Sequence, residues 1–440
     1  MKNNEDQIKL LKDILKLIRQ KSDSISGEIF KDMGRSSIET HISEIVVIKE
    51  ELKYFIKNLK KISKPKRVLT PFQLQPGKSY IKNEPYGTVL IIAPWNFPFH
   101  LSLVPAIGAL AAGNKVIIKT SPQAPNSSRL LFKMFNEDLK SDFIRIEEGG
   151  AEKVLALLEE KIDFIFFTGS EKNGRKIYEL AAKKMIPIIM ELSGQNPLIF
   201  HSDGYLKALN RIVWGKLLNA GQTCLSPNHL FVHHTKKEAL IQSFSDVVKE
   251  FYGGQVLESN DYPKIINKNE FDRLVEIIDK NTENLILGGE SNAGSLKIEP
   301  TLIEIKIEDA KDSSLLNSEI FGPILPIISY NDINDVIHII NKNSAPLSIY
   351  IFSSDKELID QITNETISGS ICVNDCLVQG SNPHFPFGGV QNSGIGKYHA
   401  IHSFDAFSNP KSILIRSKKF SLIPRFPPFS KKIFKIYDHL

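Results

Sequence analysis

The sequence predicts an α/β fold, with parallel sheets covered on both faces and the chain divided between two domains. Short, continuously apolar segments of strand length alternate with helical patterns, as strands buried on both faces require. The alternation runs from about residue 88 to 191 and restarts after 195. A length of 440 residues also exceeds what one core holds, and at about 150 residues per domain it implies two or three.

The elements follow in order. The first twenty residues mix acidic and basic side chains and lack the apolar run of a secretory leader; Ile8, Leu11, Leu15 and Ile18 recur on one face of a predicted amphipathic helix. Residues 88–93 read as a buried strand, 94–98 as a loop, 101–112 as an apolar small-residue helix and 115–119 as a second strand, which together make a βαβ unit. A strand at 163–167 runs into Thr168-Gly-Ser170 and a helix over about 171–184, and a strand at 186–190 leads into Glu191-Leu-Ser-Gly194. Beyond 195, helices over 206–218 and 236–251 flank a strand near 230–233. Gly288 to Gly294 reads as a turn without chemistry. No solenoid repeat or low-complexity segment interrupts this order.

Composition excludes several classes. The 42% hydrophobic and 24% charged content is ordinary for a folded protein, which argues against disorder, collagen or coiled coil. No apolar run approaches the roughly 20 residues of a membrane span. The three cysteines, Cys224, Cys372 and Cys376, cannot close a disulfide framework and lack the common zinc spacing, so no metal site is expected and a reducing, cytoplasmic compartment is favoured. From Lys411 onward, eight Lys/Arg stand against one Asp, a net of +7 in a chain of +5, so the remainder is about −2. The basic excess is a tail, and no nucleic-acid partner is expected.

Six segments could carry chemistry. Cys224 lies in Asn219-Ala-Gly-Gln-Thr-Cys-Leu-Ser-Pro227. A thiolate is a soft nucleophile, and small neighbours admit substrate and backbone amides, although a single cysteine is also an ordinary small core residue. Asn96, in a Pro- and aromatic-flanked loop after a strand, could donate to a developing oxyanion or could only satisfy a turn. Glu191 and Glu319 sit among apolar or small residues, where a carboxyl ion-pairs structurally or acts as acid, base or acceptor. Thr168-Gly-Ser-Glu-Lys-Asn-Gly174 opens a helix after a strand, which suits a pyrophosphate, but it is not the Gly-x-Gly-x-x-Gly fingerprint. Gly108-Ala-Leu-Ala-Ala-Gly113-Asn114 fails as a P-loop because Asn114 stands where lysine is needed.

Taken with Phe385-Pro-Phe-Gly-Gly389, the ordered runs Ala93-Pro-Trp-Asn-Phe-Pro98, Phe167-Thr-Gly-Ser170, Glu191-Leu-Ser-Gly194, Gly221-Gln-Thr-Cys224 and Glu319-Ile-Phe-Gly-Pro323 make the chain resemble the aldehyde dehydrogenase superfamily over nearly its whole length. Trp214-Gly-Lys, Pro383-His-Phe-Pro-Phe-Gly-Gly, Tyr398-His and His402-Ser-Phe-Asp405 resemble its class 3 branch, which acts on fatty and aromatic aldehydes and forms homodimers.

The resemblance implies a Rossmann-like dinucleotide-binding domain over 1–75 and 87–192, packed by 393–408, and an α/β catalytic domain over 193–392. It also implies a small β oligomerisation arm over 76–86 and 409–417, leaving 418–440 as a tail. The implied activity is oxidation of an aldehyde to its acid with NAD or NADP. Cys224 attacks the aldehyde, the Asn96 amide and the Cys224 N–H hold the oxyanion, and Glu191 activates water against the thioester. Glu319 binds the nicotinamide ribose, Lys119 the adenine ribose, and Thr168, Gly169, Ser170 and Gly174 lie near the pyrophosphate. Phe321 lies beside the nicotinamide; Trp95 and Phe97 line the substrate site. Transfer of the acyl group to coenzyme A and a non-catalytic dinucleotide-binding role are the alternatives; Glu191 argues against the first and the complete residue set against the second.

Where many relatives place a glutamate three residues after the lysine, this chain reads Lys119-Thr-Ser-Pro122. Loss of that carboxylate removes both its bonds to ribose hydroxyls and its repulsion of a 2′-phosphate, so dual use of NAD and NADP is expected. The tail, with apolar Phe420, Leu422, Ile423 and Phe426 among basic residues, could contact an anionic membrane peripherally or pack on a dimer.

Overall fold

The computed structural model describes residues 3–418 and 426–428. The tail proposed for membrane contact therefore lies almost entirely outside the described residues, and among those no helix is long and apolar enough to cross a membrane.

Six strands form one sheet, in the spatial order Gly394–Ile395, Ile188–Glu191, Phe164–Thr168, Thr88–Ile92, Lys115–Lys119 and Ile144–Glu147. All neighbours are parallel except the short first strand, which pairs antiparallel so that Gly394 faces Glu191. Burial on both faces explains why these strands read as continuous apolar runs. Val89, Ile91, Phe164 and Phe166 enter the core beneath the amino-terminal helices, whereas Leu90, Ile92, Ile165 and Phe167 enter the core on the opposite face.

A seven-stranded sheet holds Leu285–Leu287, Thr301–Ile305, Ile324–Tyr330, Pro227–His233, Asn196–Phe200, Ser348–Phe352 and Ser370–Val373, again parallel apart from its first strand. In a third, three-stranded sheet, Gly77–Pro85 pairs antiparallel with Ser408–Arg416 along its whole length and with Lys66–Val68 on its other side.

The first helix, Asn4–Gln20, starts where the Asn3 side chain accepts the Asp6 N–H at 2.8 Å. Its buried face differs from the expected stripe: Leu10, Leu11, Ile14, Leu17 and Ile18 are buried, while Ile8 and Leu15 lie at the margin. The helix packs against both Val46–Ile62 and His100–Ala111, and two contacts widen the apolar face toward Ile14. The Gly288–Gly294 turn continues into a small hairpin between Ser291–Asn292 and Lys297–Ile298.

The Gly108 segment proves to be packing. The Asn114 side chain donates to Ala109 O (3.0 Å) and Phe407 O (2.9 Å) and accepts the Gly87 N–H (3.0 Å), which ties the helix end to two neighbouring segments. A Cβ on Gly108 would lie 2.3 Å from the Ser403 Cβ of the helix Ala400–Ala406. Gly108→Ala gains helix propensity but overpacks this crossing, so a net loss of about 1–3 kcal/mol is expected in urea unfolding. Adding Ser403→Gly should recover most of it; an unchanged midpoint for the single variant would show that the crossing relaxes freely.

Candidate active site

The helix Leu209–Leu217 ends short of the predicted 218 because the next residues leave helical space: Asn219 (φ 52°, ψ 34°) and Ala220 (φ 53°, ψ 34°) are left-handed, and Gly221 follows at φ 77°. Left-handed backbone costs a non-glycine residue about 1 kcal/mol or more, so neighbours must hold it. The Asn219 N–H donates to Glu39 Oε1 (2.7 Å), its side-chain amide donates to Asn96 O (3.2 Å) and Gln222 O (3.1 Å), and Gln222 Nε2 returns a bond to Asn219 O (2.9 Å). At Gly221 a Cβ would lie 2.3 Å from the Gly322 carbonyl oxygen, so glycine alone lets this turn rest on Glu319-Ile-Phe-Gly322.

The turn delivers Cys224 beside Gly194 and within reach of the Glu191 and Glu319 charges, with Asn96 bonded to the preceding Gln222. The Cys224 carbonyl accepts Asn196 Nδ2 at 2.7 Å and presses on Gly194, where a Cβ would stand 1.7 Å away. Cys224 as a residue is partly exposed, while its thiol lies in dense surroundings. Burial pushes it up to about 12, the Glu319 and Glu191 charges add to this, and the Cys224 and Leu225 amides draw it down. At rest the sulfur is protonated.

Asn96 is buried, and one N–H of its side chain donates to Gln222 O at 3.2 Å, leaving the second available. Glu191 ends its strand beside Thr168, and its carbonyl accepts the Gly169 N–H at 3.0 Å. Glu191 is 3% exposed, and among the described residues neither carboxyl oxygen has a hydrogen bond of good geometry, although the Gly389 amide lies near. Burial raises the carboxyl to about 8, with the Lys397 charge and the Gly389 amide offsetting only part. Gly388 of the Phe385-Pro-Phe-Gly-Gly run abuts the same carboxyl, 2.8 Å from Oε1 to an added Cβ. Glu319, more open, accepts the Gly194 N–H at 2.8 Å; desolvation raises it to about 7. Trp95 and Phe321 meet edge to face at 5.6 Å, and the Phe97 ring lies 4.7 Å beneath the Arg35 guanidinium.

The residues expected to hold a dinucleotide line the carboxyl edge of the six-stranded sheet. Ser170 caps the helix Glu171–Lys183, Gly169 precedes it, and Gly174 is buried in its first turns. The Thr168 hydroxyl is buried without a hydrogen-bond partner. Two strands away, Lys119 is buried at its strand end; desolvation lowers it, the charge facing it is Glu152, and its ammonium makes no hydrogen bond or ion pair among the described residues. An orphaned hydroxyl, a helix amino terminus and an unpaired cation fit a phosphate-bearing ligand. No group of His, Cys, Asp and Glu suited to a metal occurs among the described residues.

Several residues here escaped sequence reasoning: Asn196 on the Cys224 carbonyl, Lys397 beside Glu191, Lys216 buried and lowered to about 7 near Glu319, and Arg35 with Glu44 behind Asn96. Arg35 through Glu44 reads as a solvated helix start, since its burial comes from distant segments. Of these residues, Lys216 alone lies in a run that resembles the class 3 branch, Trp214-Gly-Lys216, and the resemblance assigns it no role.

A model of the aldehyde dehydrogenase family matches residues 2–413. The chain is 40% identical over 423 residues to the 4,4'-diaponeurosporen-aldehyde dehydrogenase of Staphylococcus aureus, covering 96% of this chain and 92% of that protein. It is 33% identical over 428 residues to aldehyde dehydrogenase family 3 member A2 of Rattus norvegicus, covering 97% and 87%. Among solved structures, a substrate-bound state of Staphylococcus aureus AldH superposes with a TM-score of 0.95 at 38% identity, covering 99% and 95%. The glyceraldehyde-3-phosphate dehydrogenase GapN of Methanocaldococcus jannaschii, complexed with NADP, gives 0.84 at 26%, covering 94% and 90%.

Glu191 makes a pH-dependent cost to stability. Its unfolded carboxyl ionises near 4.5 and its folded one near 8, so between these values the native state holds a proton that the unfolded state releases. Stability therefore falls as pH rises through that window, by up to roughly 1.4 kcal/mol per unit. Glu191→Gln removes this loss, so its stability advantage over the wild type should grow between about pH 5 and pH 8 in urea unfolding. The same difference at both would show that the buried carboxyl ionises normally.

Proposed function

The chain belongs to the aldehyde dehydrogenase family, and from that premise we propose that it oxidises medium- to long-chain aliphatic or aromatic aldehydes to carboxylic acids through an acyl thioester on Cys224. The observation that carries the reading is Glu191: a buried carboxyl without a hydrogen bond of good geometry among the described residues, close enough to Cys224 for its charge to raise the thiol. Raised to about 8, the Glu191 carboxyl is mostly protonated near neutral pH, and its ionised fraction is the form that accepts a proton, first from the thiol and later from water.

In this mechanism the Cys224 sulfur bonds to the aldehyde carbon, and the carbonyl oxygen gains the charge. The free N–H of Asn96 and the Cys224 amide receive that charge, each such donor being worth about 3 kcal/mol. A bound nicotinamide dinucleotide supplies the acceptor for the aldehyde hydrogen. Glu191 gives up the thiol's proton to solvent and then takes a proton from water as the water oxygen bonds to the acyl carbon; the C–S bond breaks, the departing sulfur regains that proton from Glu191, and the acid is released. In this reading Glu319, tied to the Gly194 amide, binds the nicotinamide ribose, Phe321 lies beside the nicotinamide, and Trp95 and Phe97 line the substrate site. The substrate range is what the resemblance to the class 3 branch implies, and the Staphylococcus aureus relative is itself named for an aldehyde, 4,4'-diaponeurosporen-aldehyde.

Cys224→Ala should abolish turnover while keeping dinucleotide affinity, and Glu191→Gln should form the thioester but hydrolyse it slowly. An aldehyde panel followed by reduced-cofactor absorbance, with and without coenzyme A, checks both. Turnover by the cysteine variant would end the thioester reading, and acceleration by coenzyme A would redirect the acyl group to a thiol.

Lys119, buried without an ion pair, and Pro122, exposed where a carboxylate would repel a 2′-phosphate, support use of both cofactors. Titration of tryptophan fluorescence should give NAD and NADP dissociation constants within about 1000-fold, roughly 4 kcal/mol, and Pro122→Glu should shift the ratio towards NAD. A larger initial preference for NAD would refute dual use and point to Glu152, which faces Lys119, as the ribose partner.

A further inference from the structure

We infer that Arg35 and Glu44 are positioning residues for the oxyanion donor, holding the main chain of Asn96 so that its amide points at the reacting oxygen. The inference rests on the role proposed above for Asn96. Both side chains are 0% exposed and pair directly with each other. Arg35 Nη1 donates to the Asn96 carbonyl at 3.0 Å, Arg35 Nε reaches Thr40 Oγ1 at 3.4 Å, and the guanidinium plane covers the Phe97 ring. Glu44 Oε2 accepts the N–H groups of Phe99 (2.8 Å) and His100 (2.9 Å).

One ion pair thus grips the loop at both ends. Its carboxylate caps a helix, His100–Ala111, whose own N-cap residue Phe99 offers no side-chain bond. The cation fixes the peptide plane after Asn96, and Asn219 Nδ2 grips the same carbonyl from the Cys224 turn at 3.2 Å. The oxyanion loop and the cysteine turn therefore share one carbonyl as their common reference point. A buried ion pair holds a fold no better than apolar residues of similar size often do, so its expense is better matched to direction than to stability. The rigid guanidinium fork supplies that direction. A displacement of about 1 Å at a catalytic group can cost roughly 100-fold in rate.

The test is a cycle between the pair and the group it positions. Arg35→Met with Glu44→Gln removes both charges together and keeps an acceptor for the Phe99 amide, so no unpaired charge is left buried. This double variant should lower kcat by about 10- to 100-fold with little change in KM, in NAD affinity or in the iodoacetamide alkylation rate of Cys224. In an Asn96→Ala background the same change should cost less than about 3-fold, because its target is gone. Arg35→Lys keeps the charge and should recover part of the rate; if the double variant does not fold, Arg35→Lys carried through the same cycle serves in its place. Equal losses in both backgrounds, no loss in either, or a parallel fall in Cys224 alkylation would overturn the positioning role alone. Full kcat in Asn96→Ala by itself would overturn the oxyanion reading and this inference with it.

Discussion

Asn219, Ala220 and Gly221 hold three consecutive positive φ angles, and the location of Cys224 depends on them. Without that turn the helix Leu209–Leu217 would continue and carry the cysteine away from the strand ends where Glu191 and Asn96 lie. Two non-glycine residues in left-handed conformation are costly, and the cost is met by hydrogen bonds arriving from four directions: Glu39, Asn96, Gln222 and, through Gln222, the Lys264 carbonyl. The turn is thus set by tertiary contacts, and local propensity opposes it.

Burial then governs the chemistry of what the turn delivers. Cys224, Glu191 and Glu319 are all pushed up, to about 12, 8 and 7, so the resting site favours neutral acids. Lys216, lowered to about 7, shows the same desolvation acting on a base. The groups that offset it do not cancel it: Lys397 and the Gly389 amide at Glu191, the Gly194 amide, Ser193, Arg273 and Lys216 at Glu319, and the Cys224 and Leu225 amides at the thiol. A site whose desolvation is only partly offset is expensive to fold around, and that expense is typical of positions kept for reactivity. In the Arg35–Glu44 pair burial again raises the carboxyl, but the Arg35 charge and the His100 and Phe99 amides oppose that rise, and the remaining valences go to backbone groups of the loop beside the site.

Much of the architecture was readable because burial on both faces of a parallel sheet writes itself as unbroken apolar runs. The strands Thr88–Ile92, Lys115–Lys119 and Phe164–Thr168 lie within a residue of their expected limits. Where the sequence misled, a neighbour had rotated or stopped an element. The face of the first helix turned toward Ile14 because two helices cover it, and the helix before Cys224 stopped early at a turn its residues do not favour. The Arg35–Glu44 pair carried no local sign at all, because a charged pair in a helix start reads the same whether it meets water or a buried loop.

The sequence by itself determined the α/β class, the order of the strands and, through its ordered motifs, the family. Those properties are local in origin: strand length, apolar continuity and short runs of particular side chains. Tertiary structure alone decided the protonation of the site residues and the direction in which each one points. Desolvation depends on atoms contributed from every side, and Glu191 meets Lys397, Gly388 and Thr168 only after residues far apart in the chain have packed.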